Sequence, residues 1–265
     1  MQQPAAIPAD PYFRSLGDGR YAPTAHTEGA WARDEQHMAP IGGLLVQELL
    51  DHEPRTDLQL ARVSFDILGK IPLAEFTIEV RTLRPGRTIE LVQAEASAGG
   101  RAFLRATGWR LVASDTSAVA GGAPPPPPTP DLLPSTPLAT DWGGGYIDSL
   151  RVRPVRPPEP GHGEVWLGTD VALRDRGPVS DLARLAGLID TANGVAPRRD
   201  PREWLYPNTD LTVHLYRQPI GGWLGLVVDV VWGETGVGLT STTLFDERGA
   251  WGRAEQILTL RALRA

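Results

Sequence analysis

The chain has 265 residues, 41% hydrophobic and 22% charged, a balance that describes a folded globular protein and excludes a chain disordered by composition. Its net charge of −6 argues against nucleic acid as a partner, because neutralising phosphates needs a basic surface. The absence of cysteine excludes disulfides, thiolate catalysis and sulfur-ligated zinc, and makes a cytoplasmic location the expectation.

In chain order, the opening MQQPAAIPADPYF has neither a basic start nor an apolar core and does not read as a secretory signal. The segment GRYAPTAHTEGAWARDE leaves room for one or two strands, and Asp34 within it and His37 just after it read as an exposed polar pre-helix loop in preference to a vestigial first-half site. Ile41, Leu44, Leu45 and Leu49 then recur at helical spacing on one face, and Pro54 ends that helix. Four strand-like runs follow at 61–68, 75–83, 87–97 and 101–112, broken by Pro72, Pro85-Gly86 and Gly99-Gly100.

Next comes SDTSAVAGGAPPPPPTPDLLPSTP, which reads as a semi-rigid spacer because polyproline neither joins a ladder nor continues a helix. It divides the chain into an amino-terminal domain, 1–113, a linker, 114–140, and a carboxy-terminal domain, 141–265. Beyond it the pattern repeats. YIDSLRVRPVR and GEVWLGTDVAL precede a helix capped by Ser180 and carrying Leu182, Leu185, Ala186 and Ile189 on one face. Strand-like runs then recur at 209–216, 222–233, 236–245 and 250–261. The most apolar window, Leu224 to Trp232, is interrupted by Asp229 and is far shorter than the roughly 20 residues a membrane span needs.

Pro72 and Pro219 lie 147 residues apart, Gly100 and Gly249 149, and Arg105 and Arg253 148. Such a constant offset indicates an internal duplication, two copies of an α+β unit in which a helix packs on an antiparallel meander.

The motif search removes several chemistries. There is no G-x-S-x-G nucleophile elbow and no H-E-x-x-H, and none of the five histidines lies close enough to another for a local metal pair. No residue five positions before a histidine is aspartate, an acid–base spacing that some hydratases use. No cofactor or metal is expected. Arg217 and Arg253 are expected in surface ion pairs, His214 as a packed core-edge residue, and the tryptophans as core and sheet fillers with some free to line a tunnel.

The phrases HMAPIGGLLVQELL, VSFDILGKIPL and RPGRTIELVQAEASAGGRAFLRATGWRL in the first half resemble those of the thioesterase II-type acyl-CoA thioesterases. LAGLIDTANGV, NTDLTVHLYRQPIGGWLGL and GLTSTTLFDERGAWGRAEQILTLR extend the resemblance through the second half. It implies a double hotdog, two helix-plus-antiparallel-sheet units in one chain, and a hydrolase that cleaves an acyl-CoA, a small-molecule substrate, with activated water. It also implies an Asp just after the second helix, a Thr or Ser ahead of the following strand and a Gln on the last strand. By position these fall on Asp190, Asn208 and Gln256, so the middle one departs from a hydroxyl, with Thr209 beside it. The departure keeps a second reading open, a hotdog protein that binds an acyl group without turnover. Residue chemistry alone allows Asp190 and Asn193 simply to end the helix, or Asp190 to act as a base and the two amides to hold water or a carbonyl. A duplicated chain can satisfy hotdog pairing internally, while open edge strands leave room for a homo-oligomer.

Overall fold

The computed structural model describes residues 10–30, 32, 34–136 and 143–263; the carboxy-terminal linker boundary at 140 and the first nine residues lie outside the described residues. The first half runs β1 (Phe13–Gly17), β2 (Arg20–Pro23), α1 (Met38–Asp51), β3 (Leu58–Ile67), β4 (Phe76–Arg84), β5 (Ile89–Ala98) and β6 (Arg101–Val112). The second begins with α2 (Gly145–Asp148), β7 (Leu150–Pro154), β8 (His162–Thr169), α3 (Asp181–Ile189) and α4 (Ala192–Val195). It continues through β9 (Trp204–Leu205), β10 (Asp210–Leu215), β11 (Leu224–Trp232), β12 (Val237–Asp246), β13 (Gly249–Thr259) and β14 (Arg261–Ala262).

Twelve strands form one antiparallel sheet in the order β1-β2-β4-β5-β6-β3-β10-β13-β12-β11-β8-β7, while β9 and β14 pair separately. The order reads the same from both edges once each strand is replaced by its duplicate. This is the expected double hotdog, with one correction. A simple meander holds only for β4 to β6 and, in the second half, for β11 to β13, because the chain leaves β3 and β10 before each meander begins. β3 therefore pairs with β6 on one side and with β10 on the other, and these two central strands join the halves.

The helices lie against one face of the sheet. α3 starts where Ser180 Oγ accepts from Ala183 N at 3.1 Å. Leu44, Leu45 and Leu49 of α1 and Leu185, Leu188 and Ile189 of α3 are buried in one core with the inward rows of the sheet. The helices cross at Gly43 and Gly187, where a Cβ on Gly43 would stand 2.6 Å from the Ala183 carbonyl oxygen and 2.8 Å from Gly187 Cα. Arg110, buried beside Glu90, donates to the carbonyls of Leu49 and His52 and closes the end of α1.

Two further expectations change. The described part of the proline segment is no free spacer: Trp166 Nε1 donates to the Pro128 carbonyl at 2.8 Å, and Arg153 to those of Pro130 and Leu133 at 2.8 and 3.0 Å. Its end thus lies on the outer face of the second half, where Leu133 packs on a cluster of Trp166, Trp223 and Phe245. The outermost strands are also partly covered. Tyr12 N and Phe13 N, at the start of β1, donate to the Ala172 and Leu173 carbonyls, and Thr136 N donates to Val152 of β7. Among the described residues no helix is long and apolar enough to cross a membrane.

Candidate active site

Asp190 sits where α3 gives way to α4. Its backbone and that of Thr191 stay helical, so the chain bends there rather than ending, as the simplest reading of Asp190 and Asn193 required. Asn193 is instead buried and donates to the Tyr206 carbonyl at 3.0 Å. The Asp190 carboxylate is 6% exposed, and its Oδ1 accepts from Asn208 Nδ2 at 2.8 Å and from Gln256 Nε2 at 2.9 Å. The structure thus brings Asp190, Asn208 and Gln256 together, from a helix bend, the entry to β10 and the middle of β13. Both amides hold the carboxylate itself. Asn208 also donates to the Asp210 carbonyl at 3.0 Å, whereas Thr209 is exposed.

Burial pushes the Asp190 carboxyl up to about 6, and the two amide donors hold it back from rising further. Desolvation is the dominant cause. Oδ2 remains, 3.5 Å from His37 Nδ1. That nitrogen accepts the Ala39 N–H at 3.1 Å, so the imidazole proton sits on Nε2 and no proton is offered to Oδ2. Burial pushes the His37 imidazole down to about 3, which keeps it neutral.

His37 is therefore not on the exposed loop expected of it. It caps α1 and its ring lies 4.3 Å from that of Tyr146, whose hydroxyl lies 2.6 Å from Thr191 Oγ1 beside Asp190. Asp34 does stay exposed and pairs with Lys70. Sequence reasoning set His37 aside, and considered it only for a site of the first half, because its contact with Asp190 spans the two halves. The available signal was its place immediately before the helix, where a side-chain acceptor caps the first turn.

Asp190, Asn208 and His37 open on a cavity of about 430 Å³ between the halves. Met38, Ile67, Ile71, Leu205 and Pro207 supply apolar wall, and Gln36, whose Nε2 donates to the Pro72 carbonyl at 2.7 Å, leaves a buried Oε1 unpartnered. No tryptophan is among the described lining residues. His214 is exposed rather than packed, since Val213 and Leu215 take the inward positions of β10. Arg217 is committed to the fully buried Asp246 through bonds of 2.6 and 2.7 Å, while Arg253 is exposed. Among the described residues no group of three or more His, Asp or Glu side chains is disposed to hold a metal ion.

The duplicate site in the first half is apolar. Ser64 and Thr212 are partners across the central ladder and lie 148 residues apart, and the same offset maps β6 on β13 and β5 on β12. Gln256 then corresponds to Gly108, and Asn208, which bridges to Leu258, to Leu60, which pairs with Arg110. Counting from the crossing glycines, Asp190 corresponds to the buried Val46. Leu60 fills the space a side chain at 108 would take, its Cδ2 lying 2.8 Å from the place of a Cβ. Among the described residues there is one such carboxylate site.

A duplicated helix-under-sheet fold with a buried, amide-held carboxylate facing a cavity between the halves defines the class, a double hotdog protein. Two family models match in tandem: an acyl-CoA thioesterase N-terminal domain over residues 27–111 and an acyl-CoA thioesterase C-terminal domain over 122–260. The chain belongs to the acyl-CoA thioesterase family. No curated protein matches it significantly by sequence. Among solved structures it is similar to a hot dog fold protein of unknown function from Alicyclobacillus acidocaldarius, at TM-score 0.74 and 15% identity over 94% of this chain and 96% of that one. It is also similar to acyl-CoA thioesterase II TesB2 of Mycobacterium marinum, at TM-score 0.66 and 16% identity over 96% of each chain. At such identities these two likenesses speak for the fold alone.

Proposed function

We propose that the protein hydrolyses an acyl-CoA thioester to the free acid and CoA with Asp190 as the water activator. One observation carries this: a buried carboxylate whose Oδ1 is saturated by two amides while Oδ2 is left without a donor beside a largely apolar cavity. Family membership supports the substrate class.

In the proposed step, Oδ2 takes a proton from water as the water oxygen attacks the thioester carbonyl. The tetrahedral intermediate collapses with loss of the CoA thiolate, which receives the proton that Asp190 took up. Asn208 and Gln256 fix the carboxylate plane so that Oδ2 is the reacting oxygen. A carboxyl held near 6 is a better base than an exposed aspartate and is still ionised at neutral pH.

The test is CoA release from short, medium, long and aromatic acyl-CoAs by the wild type and by Asp190→Asn. Loss of about 10²–10⁴-fold in kcat is expected in the variant. An undiminished rate overturns the mechanism. Asn208 favours one competing reading, a binding protein without turnover, because its amide is already engaged by Asp190 and Asp210 and supplies no hydroxyl for water. Tight acyl-CoA binding with no CoA release would establish that reading instead.

A further inference from the structure

Behind the carboxylate, two buried polar atoms lack partners: Gln256 Oε1 and Thr240 Oγ1. They are not scattered. Thr240 stands directly opposite Gln256 in the β12–β13 register, both point into the core, and the residues are 0% and 1% exposed. Facing residues of an antiparallel pair have Cβ atoms about 4.5–5.5 Å apart, within reach of a hydroxyl and a Gln amide once a side chain rotates. One orphan is an acceptor and the other carries a proton to donate. A buried polar group left unpaired is costly, and a bond between these two would relieve both at once.

We propose that Thr240 is a positioning residue whose hydroxyl donates to Gln256 Oε1 and so holds the amide with its NH2 on Asp190. Without that donor nothing distinguishes the two ends of the amide from behind. A flipped amide turns an oxygen toward the carboxylate, and Asp190 loses one of its two donors. The duplication supports the assignment. The residues corresponding to Thr240 and Gln256 in the first half are Val92 and Gly108, which face each other in the same register. The hydroxyl is present only in the half where a Gln needs it, and valine, its isostere, occupies the other.

Among the described residues, Asp190 is faced by two titratable groups from packed elements, His37 before α1 and Tyr146 of α2, and neither is hydrogen-bonded to the Thr240 hydroxyl. A response of Asp190 to a change at 240 therefore reports the amide. The experiment is a ¹³C-carboxyl NMR titration of Asp190, assigned by its loss in Asp190→Asn, in the wild type, Thr240→Val and Thr240→Ser. Thr240→Val is expected to raise the Asp190 pKa by about half a unit or more, with Thr240→Ser titrating as wild type. Thr240→Ala gives the same readout without the added methyl, should the valine variant fold poorly.

The kinetic arm rests on the proposed hydrolysis. Thr240→Val should lower kcat about three- to tenfold with KM unchanged and move the acid limb of the pH profile upward, and serine should restore both. An Asp190 titration unmoved or lowered in both Thr240→Val and Thr240→Ala overturns the inference whatever the turnover. A titration that responds in a protein releasing no CoA upholds the inference and defeats the proposed function.

Discussion

The hydroxyls of Ser64 and Thr212 lie 3.1 Å apart across the central ladder, each the duplicate of the other, so the pseudo-twofold axis of the chain passes between them. The backbone obeys that axis and the chemistry does not. At the places symmetry pairs with Asp190, Asn208 and Gln256 stand Val46, Leu60 and Gly108, which cannot support proton transfer.

A single-site chain makes a sharp kinetic prediction. Asp190→Asn should remove hydrolysis with no residual phase from the first half, whereas Val46→Ala should leave the site's chemistry untouched. Steady-state assays on both variants check this. Turnover that survives Asp190→Asn and then disappears on substitution in the first half would refute it.

The pH dependence follows from burial. Water activation needs the Asp190 carboxylate, so kcat should fall as pH drops through about 6, well above an exposed aspartate's range. Stability moves the other way. A carboxyl raised from 3.8 to about 6 on folding keeps its proton longer in the native state, so stability decreases as pH rises between those values. Asp190→Asn removes this penalty, at most about 3 kcal/mol. Its Tm should exceed wild type at pH 7 and match it near pH 4. A variant less stable at pH 7 would contradict the burial argument.

His37 supplies an opposite dependence. Its imidazole is pushed down to about 3 by burial, so the unfolded chain takes up a proton near 6.5 that the native state refuses. Stability from this group is full above 6.5 and is lost as pH falls below it. In an NMR titration the His37 ring should stay neutral from pH 8 to pH 5 with its proton on Nε2. A His37 midpoint inside that window would break the assignment of a capping, proton-free Nδ1.

Much of this architecture is legible in the residues. Offsets of 147 to 149 between Pro72, Gly100, Arg105 and their duplicates announced the repeat, and strand pairing sets the offset of the central strands at 148. Alternation of Val213, His214 and Leu215 already implied an outward His214, so treating it as a packed residue gave the lone histidine more weight than the period-two pattern. Asp190, Asn208 and Gln256 were reachable through the family resemblance, because each lies at a definable place on its element. What could not be read was anything decided between elements: that the two amides would converge on one carboxylate oxygen, that His37 would cross from the other half, and that a proline segment would lie against Trp166. Helix periodicity and strand alternation encode a residue's own face, whereas these contacts depend on how faces meet.

The helix crossing gives a prediction in which two identical substitutions part company. A methyl at Gly43 would enter space held by the Ala183 carbonyl oxygen at 2.6 Å and Gly187 Cα at 2.8 Å, both backbone atoms that move only if the helices separate. A methyl at Gly187 meets nothing nearer than Gly43 Cα at 3.6 Å, ordinary contact. Alanine favours a helix interior over glycine by roughly 0.5–1 kcal/mol at either site. At Gly187 that gain stands, and Tm should hold or rise. At Gly43 overpacking of about 1–3 kcal/mol outweighs it, so Gly43→Ala should be the destabilised variant in denaturant unfolding. Because the crossing also sets the distance between His37, at the head of α1, and Asp190, at the end of α3, Gly43→Ala should disturb the site as well, lowering turnover while Gly187→Ala leaves it near wild type. Equal behaviour of the two variants would mean that the helices are not held at this separation.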